Sequence, residues 1–227
     1  PGAPFADRSD LSRPSGPVHT RLALGAQRTV LVPTSVGLVE IDGDDAHLLT
    51  AALPDDARNV KAAWVDREGA LWVTSLGLHH ELGRGLWRTI STADGLPSNN
   101  VWSVTGLSDG RVAVGTELGV ALLGPAGVEP ITAQSVVATV EHPAGVLWIV
   151  ADDLQRYDLA TRQLRTIGAD AGLGPEALTS VVADHAGALW FGVETGGLYR
   201  LGPGEPARFA AVEVEAAEPE RLQVAHA

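Results

Sequence analysis

Five stretches of the chain repeat one order of apolar and polar positions. They are Thr29–Ile41 (TVLVPTSVGLVEI), Gly69–Leu82 (GALWVTSLGLHHEL), Gly110–Leu123 (GRVAVGTELGVALL), Gly145–Leu159 (GVLWIVADDLQRYDL) and Gly187–Leu201 (GALWFGVETGGLYRL). Their starts lie 40, 41, 35 and 42 residues apart. Each is an apolar run, a small polar turn and a second alternating run, the pattern of a β-hairpin. Trp72, Trp148 and Trp190 fall on one register, with Val32 and Ala113 filling it in the other copies. A short β-rich stretch precedes four of the hairpins: Val60–Asp66, Val101–Leu107, Val136–His142 and Leu178–Asp184. A looser one follows four: Leu48–Leu53, Leu86–Thr92, Val128–Ala133 and Leu164–Ala169. The repeat therefore predicts four strands, the first innermost and the last outermost. No segment sustains a helical period.

A four-stranded sheet of about 40 residues cannot bury both of its faces alone. Radial stacking of such sheets buries them and leaves only short edges. The predicted fold is all-β, a β-propeller of four-stranded antiparallel blades. Five blades are visible, expected at about 17–54, 55–97, 98–133, 134–175 and 176–212, and expected to belong to a six- to seven-bladed ring. Residues 1–16 read as a leader or linker. Residues 213–227 read as an acidic linker, followed by a possible inner strand of a further blade at Arg221–Ala227, or a strand that closes the ring. The tryptophans are expected to pack between blades.

One segment carries more than the bare pattern. Trp87–Val120 runs from an aromatic outer strand through Asp94–Val101 (DGLPSNNV) into a turn, an apolar strand and Gly115–Thr116. It resembles the two-component regulator propeller repeat, and Asp184–Leu201 resembles the second half of that repeat. Other copies are degenerate: Ala169–Leu178 keeps Gly172 and Leu173, and Leu53–Val60 keeps Asn59 and Val60. The resemblance spans about residues 18–210. It implies the sensor region of a bacterial signalling protein, periplasmic or otherwise extracytoplasmic. Such a region binds a small-molecule or carbohydrate ligand, or a protein partner on one propeller face. It brings no catalytic residues to carry over, and the residues themselves lead us to expect no cofactor and no metal. The kinase and membrane segment that accompany such sensors are not in this sequence.

Composition narrows the partners. The net charge is −12, and Lys61 is the single lysine. An acidic surface disfavours nucleic acid and anionic membranes. The absence of cysteine removes disulfides, thiolate metal sites and cysteine nucleophiles. No apolar run approaches the length of a spanning helix. The start at Pro1 and the lack of methionine lead us to expect a processed product or an excised piece.

Several motifs tempt a chemical reading. Gly106–Gly110 (GLSDG) fits a nucleophile pattern, but that chemistry needs a strand-to-helix elbow. The equivalent Asp66–Gly69 and Asp184–Gly187 indicate a turn between strands. His79, His80 and Glu81 place only two ligand types on one strand face, too few for zinc, and read as a solvated outer strand. Asp42, Asp44 and Asp45 lack the later glutamate of a calcium loop.

The ligand-binding candidates come from the propeller resemblance. Loops leading into the inner strands share a rim with the turns between second and third strands. There the sequence places Asp94, Ser98, Asn99 and Asn100, then Glu117, Asp152, Glu194 and Thr195, with Asp56, Arg58, Asn59, Asp153 and Glu176 beside them. Amides and carboxylates on rigid strand ends suit hydroxyl-rich ligands. The same Asp94–Asn100 residues also suit a plain turn. The expected function is non-catalytic recognition. The alternatives are a protein-interaction scaffold and, with less support, a propeller lyase or hydrolase.

Overall fold

The computed structural model describes residues 22–25, 29–43, 45–49, 53–54, 57, 59–83, 85–202 and 209–212. Five antiparallel sheets of four strands stand around a common axis, each in simple up-and-down order. Blade 1 holds β1 (Ala23–Leu24), β2 (Val30–Thr34), β3 (Gly37–Asp42) and β4 (Asp45–Leu48). Blade 2 holds β5 (Ala62–Val65), β6 (Leu71–Ser75), β7 (Gly77–Gly83) and β8 (Leu86–Ile90). Blade 3 holds β9 (Val101–Gly106), β10 (Val112–Thr116), β11 (Gly119–Gly124) and β12 (Gly127–Thr132). Blade 4 holds β13 (Ala138–Glu141), β14 (Val146–Val150), β15 (Leu154–Asp158) and β16 (Gln163–Ile167). Blade 5 holds β17 (Leu178–Ala183), β18 (Leu189–Val193), β19 (Leu198–Leu201) and β20 (Phe209–Val212). The described residues form five blades of a β-propeller. Single 3-10 turns stand at Thr92–Asp94 and Ala169–Ala171, and no α-helix is present among the described residues. The segments 1–16 and 213–227, with Asp44, Asp56 and Arg58, lie outside the described residues.

The hydrophobic cores lie between blades rather than within them. Leu31, Leu38 and Val60 meet Ala63 and Val73 between blades 1 and 2. Trp72, Leu78 and Ile90 meet Val104, Val112 and Val114 between blades 2 and 3. Ala113, Val120 and Leu122 meet Leu147, Ile149 and Tyr157 between blades 3 and 4. Trp148 and Val150 meet Val181, Phe191 and Phe209 between blades 4 and 5. Among the described residues no such cluster joins blade 5 to blade 1, and Leu24 and Val182 on those two inner strands are exposed.

Two tryptophans are seated by the same device. In blade 2 one carboxylate oxygen of Asp66 accepts from the backbone of Glu68 and Ala70, and the other accepts from Trp72 Nε1 at 2.9 Å. Blade 5 repeats it, with Asp184 accepting from Ala186, Ala188 and Trp190 Nε1. The indole N–H and these backbone donors hold the Asp184 carboxyl below the ordinary carboxylate range. In blade 4 the backbone carbonyl of His142 takes the Trp148 N–H instead. In blades 2 and 4 the first turn thus fixes the indole that fills the next interface, whereas the half-buried Trp190 of blade 5 enters no interblade cluster among the described residues.

The structure corrects two expectations. The tryptophan register in blade 1 belongs to Leu31, not Val32. Thr34 pairs with Gly37 at the hairpin end, so Leu31 stands three residues back, as Ala113 does from Thr116. A shift of one residue changes the face, and it is Leu31 that packs against blade 2. His79 is not on a solvated strand. It lies fully buried on β7, with Nε2 bonded to Ser75 Oγ at 2.9 Å and Nδ1 to Thr89 Oγ1 at 3.1 Å.

His80, on the opposite face of β7, stacks on Trp72 at 3.7 Å between ring centroids. Trp64 lies 6.1 Å beyond Trp72 and rests on Gly106, where any Cβ would strike its ring. Burial of His80 pushes its imidazole below the usual value, against the opposing pull of Asp66.

Two measurements follow from this packing. Asp66→Ala orphans the Trp72 N–H and two backbone donors and should lower stability by about 2 kcal/mol in urea unfolding. For His80, the unfolded chain takes up a proton near pH 6.5, before the folded one does. Stability should therefore fall on acidification through and below that pH. His80→Phe keeps the stack and should lose less of its melting temperature than the parent between neutral and mildly acidic buffer.

Candidate functional site

Strand direction sorts the loops. The turns between second and third strands and the loops leading into the inner strands lie on one face, and backbone bonds tie them together. Val60 donates to Thr34, Gly77 to Asn99, Glu117 to Asn100, Val136 to Thr116 and Glu194 to Ala177. This face is the rim that the sequence singled out. A central cavity of about 740 Å³ is walled by all five inner strands, with Trp64, Thr105, Thr139, Glu141 and Val182 among its lining residues; it reaches the far ends of those strands at Val65, Gly106 and Glu141, and none of the rim candidates lines it.

The candidates on the rim divide into two groups. Asp94, Ser98 and Asn99 build the loop between blades 2 and 3. Asp94 accepts from the backbone of Ser91, while Ser91 caps the 3-10 turn. Asn99 Oδ1 accepts from Thr92 at 2.7 Å, and Ser98 Oγ accepts from the backbone of Asn100. Gly95 closes the turn at φ 106°, and Gly172 does the same at φ 87° in the next-but-one loop. The two copies thus share a backbone turn that favours glycine, although their side chains differ.

Asn100 and Glu117 form a polar cluster instead. Asn100 Nδ2 donates to Glu117 Oε2 at 3.3 Å, and Lys61 Nζ donates to Asn100 Oδ1. The Lys61 ammonium stands 3.8 Å from the centroid of the Trp102 ring, a cation–π contact. Sequence reasoning omitted Lys61; its being the only lysine, one residue past the predicted Asn59–Val60 loop end, was the available signal. Partial burial lowers the pKa of its amine, and Glu117 opposes the shift.

Blades 4 and 5 repeat the link between loop and hairpin. Gln134 Nε2 donates to Asp153 Oδ2 at 3.3 Å, and Tyr199 Oη donates to Glu176 Oε2 at 3.0 Å. Asp152, Glu194 and Thr195 are exposed at the hairpin tips. The candidates therefore spread around the rim by blade rather than converging on one point. Among the described residues no three histidine, aspartate or glutamate side chains gather as a metal site would require. The Gly106–Gly110 motif is a turn between β9 and β10, where Leu107 and Arg111 pair and Gly110 donates back to Leu107.

Known proteins share this architecture. The extracellular domain assigned to a hybrid two-component system of B. thetaiotaomicron superposes with a TM-score of 0.69 at 17% identity, over 91% of this chain and 30% of that one. A catalytically inactive virginiamycin B lyase from Staphylococcus aureus, solved with quinupristin, gives 0.68 at 13% identity, over 89% and 72%. A gluconolactonase from Xanthomonas campestris gives 0.64 at 14%, over 84% and 74%. The fold is shared. Identities this low carry nothing further, since one fold hosts many activities. The chain spans about a third of the length of the sensor-domain chains that it matches. The likeness to these sensor domains fits the two-component regulator propeller resemblance of the repeat. A family model for the N-terminal part of strictosidine synthase-like proteins matches residues 160–201, a minor part of the chain. The search of curated proteins found no match. Among the described residues no helix is long and apolar enough to cross a membrane.

The single lysine makes the rim cluster measurable. Glu117→Gln removes the charge that raises the Lys61 pKa, so the amine should titrate at lower pH than in the parent. One lysine side-chain resonance, followed by NMR against pH, reads this directly.

Proposed function

We propose that this chain is a non-catalytic recognition propeller, the sensing part of a larger extracytoplasmic signalling protein. The observation that carries the reading is the division of labour on the rim. Asp94, Ser98 and Asn99 are spent on the fold, whereas Asn100, Glu117, Asp152, Glu194 and Thr195 stand at strand ends and hairpin tips of the same face. Donors and acceptors fixed on rigid strand ends are what a binding surface needs. The Asp94–Val101 motif and the likeness to extracellular domains of two-component systems support the signalling context. The structural likeness to a lyase and a lactonase defines the competing reading.

Thermal melting against oligosaccharides, organic acids and short peptides of either charge tests the proposal. One ligand class should raise the melting temperature of the parent but not that of the Asn100→Ala or Glu194→Ala variant. Turnover of a lactone or a cyclic depsipeptide by the purified chain would overturn the non-catalytic reading.

A further inference from the structure

Blades 5 and 1 each present one sheet face that enters no interblade core among the described residues. On blade 5 the row Val182, Trp190, Arg200 crosses the sheet on the side away from blade 4. It repeats the blade 4 row Val140, Trp148, Arg156 residue for residue. In blade 4 that row is covered. Trp148 is 4% exposed and packs with Val181 and Phe191 of blade 5. In blade 5 it is open, with Val182 61% exposed and Trp190 half-buried. Asp184 nonetheless seats the Trp190 indole as Asp66 seats Trp72, so this face is built like those that receive a blade.

Blade 1 has the counterpart. The register sets Leu24, Val30 and Ile41 in one row and Val32, Val39 and Leu48 in the next. Both rows lie on the side away from blade 2, which Leu31 faces. The equivalent positions in blade 5, Leu189 with Leu201 and Phe191 with Tyr199, pack against blade 4. A sheet face meant for water alternates in polar residues; this one is aliphatic throughout, and Leu24 is 75% exposed. The two open faces do not close on each other, since Leu22, Leu24 and Val182 stand together on the wall of the central cavity.

The chain leaves blade 5 at the right place to cover its face. β20 is the outer strand and ends at Val212. The links from outer strand to next inner strand after blades 2, 3 and 4 are Ser91–Asn100, Ala133–Val137 and Gly168–Ala177. Glu213–Glu220 lies within that range of lengths. Arg221–Ala227 (RLQVAHA) then repeats the order of Asn59–Val65 (NVKAAWV), the stretch that becomes β5: polar, aliphatic, polar, two apolar residues, a ring and an apolar residue.

We propose that the open face of blade 5 docks Arg221–Ala227 as the inner strand of a further blade, so that the ring has more than five positions. In this register Ala225 stands opposite Val182, as Thr139 stands opposite Thr105 between blades 4 and 3, where the two hydroxyls meet at 2.8 Å. Leu222 and Val224 bring apolar surface to the gap between Val182 and Leu24, and its removal from water drives the docking. The inference does not rest on what the rim binds.

The chain has no cysteine, so any disulfide in a double-cysteine variant is the introduced one. Val182→Cys/Ala225→Cys should close an intramolecular disulfide in most molecules under mild oxidation, read by intact mass and free-thiol count, because the two positions come within disulfide reach. Val182→Cys/Leu22→Cys, the pair that five blades closing on themselves would bring together, should stay reduced. Ala225→Cys/Leu86→Cys, with the second thiol exposed on blade 2, should oxidise at least tenfold more slowly. Adding Leu222→Ser and Val224→Ser to the first pair should slow its closure by about tenfold. The reduced variants should melt with the parent, since Leu22, Leu86 and Val182 are exposed. A disulfide at Leu22 instead of Ala225 means that the five blades close on themselves. Disulfide-linked dimers mean that a second copy covers the face. No disulfide at Ala225, or equal rates at Leu86 or in the serine variant, mean that the segment does not dock. Each of these results overturns the proposal.

Discussion

The carboxylate that seats a tryptophan is the contact on which the rest of the structure leans. Asp66 and Asp184 each gather two backbone donors of a tight turn and one indole N–H. The turn sets the pairing of the first two strands, and in blade 2 the indole then points at a fixed height into the next blade. Without that anchor a large ring at an interblade position would have several resting places. With it, Trp72 packs among Ala62, Val101 and Val112, and Trp64 lies beside it on Gly106. Blade 4 reaches the same end with a backbone carbonyl. What the fold requires is the acceptor, not the aspartate.

Rigid interfaces leave the rim free to vary. The loops into the inner strands of blades 2 to 5 are tied to hairpin turns by backbone bonds, so most side chains at the hairpin tips do not have to hold the structure. Blade 2 uses that freedom to bury a satisfied histidine, blade 4 to bury a half-satisfied glutamine and blade 5 to place a tyrosine against Glu176. These occupy equivalent positions on the third strand, facing the preceding blade. One scaffold position thus carries three chemistries, which fits a fold that serves both sensor domains and enzymes.

Much of the fold was legible because the repeat states each blade twice, once as alternating apolar residues and once as turn residues. The five hairpins and their order needed no more than that. Blade 1 was misread by one residue because it has no tryptophan and its apolar run, Val30–Val32, offers three equivalent candidates; only the pairing of Thr34 with Gly37 selects Leu31. His79 was misread because a polar residue in a strand reads as solvent-facing unless its partners are known, and Ser75 and Thr89 meet it only after folding. The rim was legible as a location. Which of its residues are consumed by turns was not, since Asp94 and Asn99 look the same in sequence whether they bond to their own loop or project into solvent.

The placement of the cores between sheets has a consequence for how such a chain changes over time. Among the described residues blades 2, 3 and 4 each contribute the back half of one core and the front half of the next. Duplication of one unit of about 40 residues therefore brings a matched pair of half-cores and joins the series without redesign, whereas a duplication out of phase with the hairpins would bring two halves that do not meet. Gain and loss in this architecture proceed by whole units, and the tips of each new unit are free to diverge from the start.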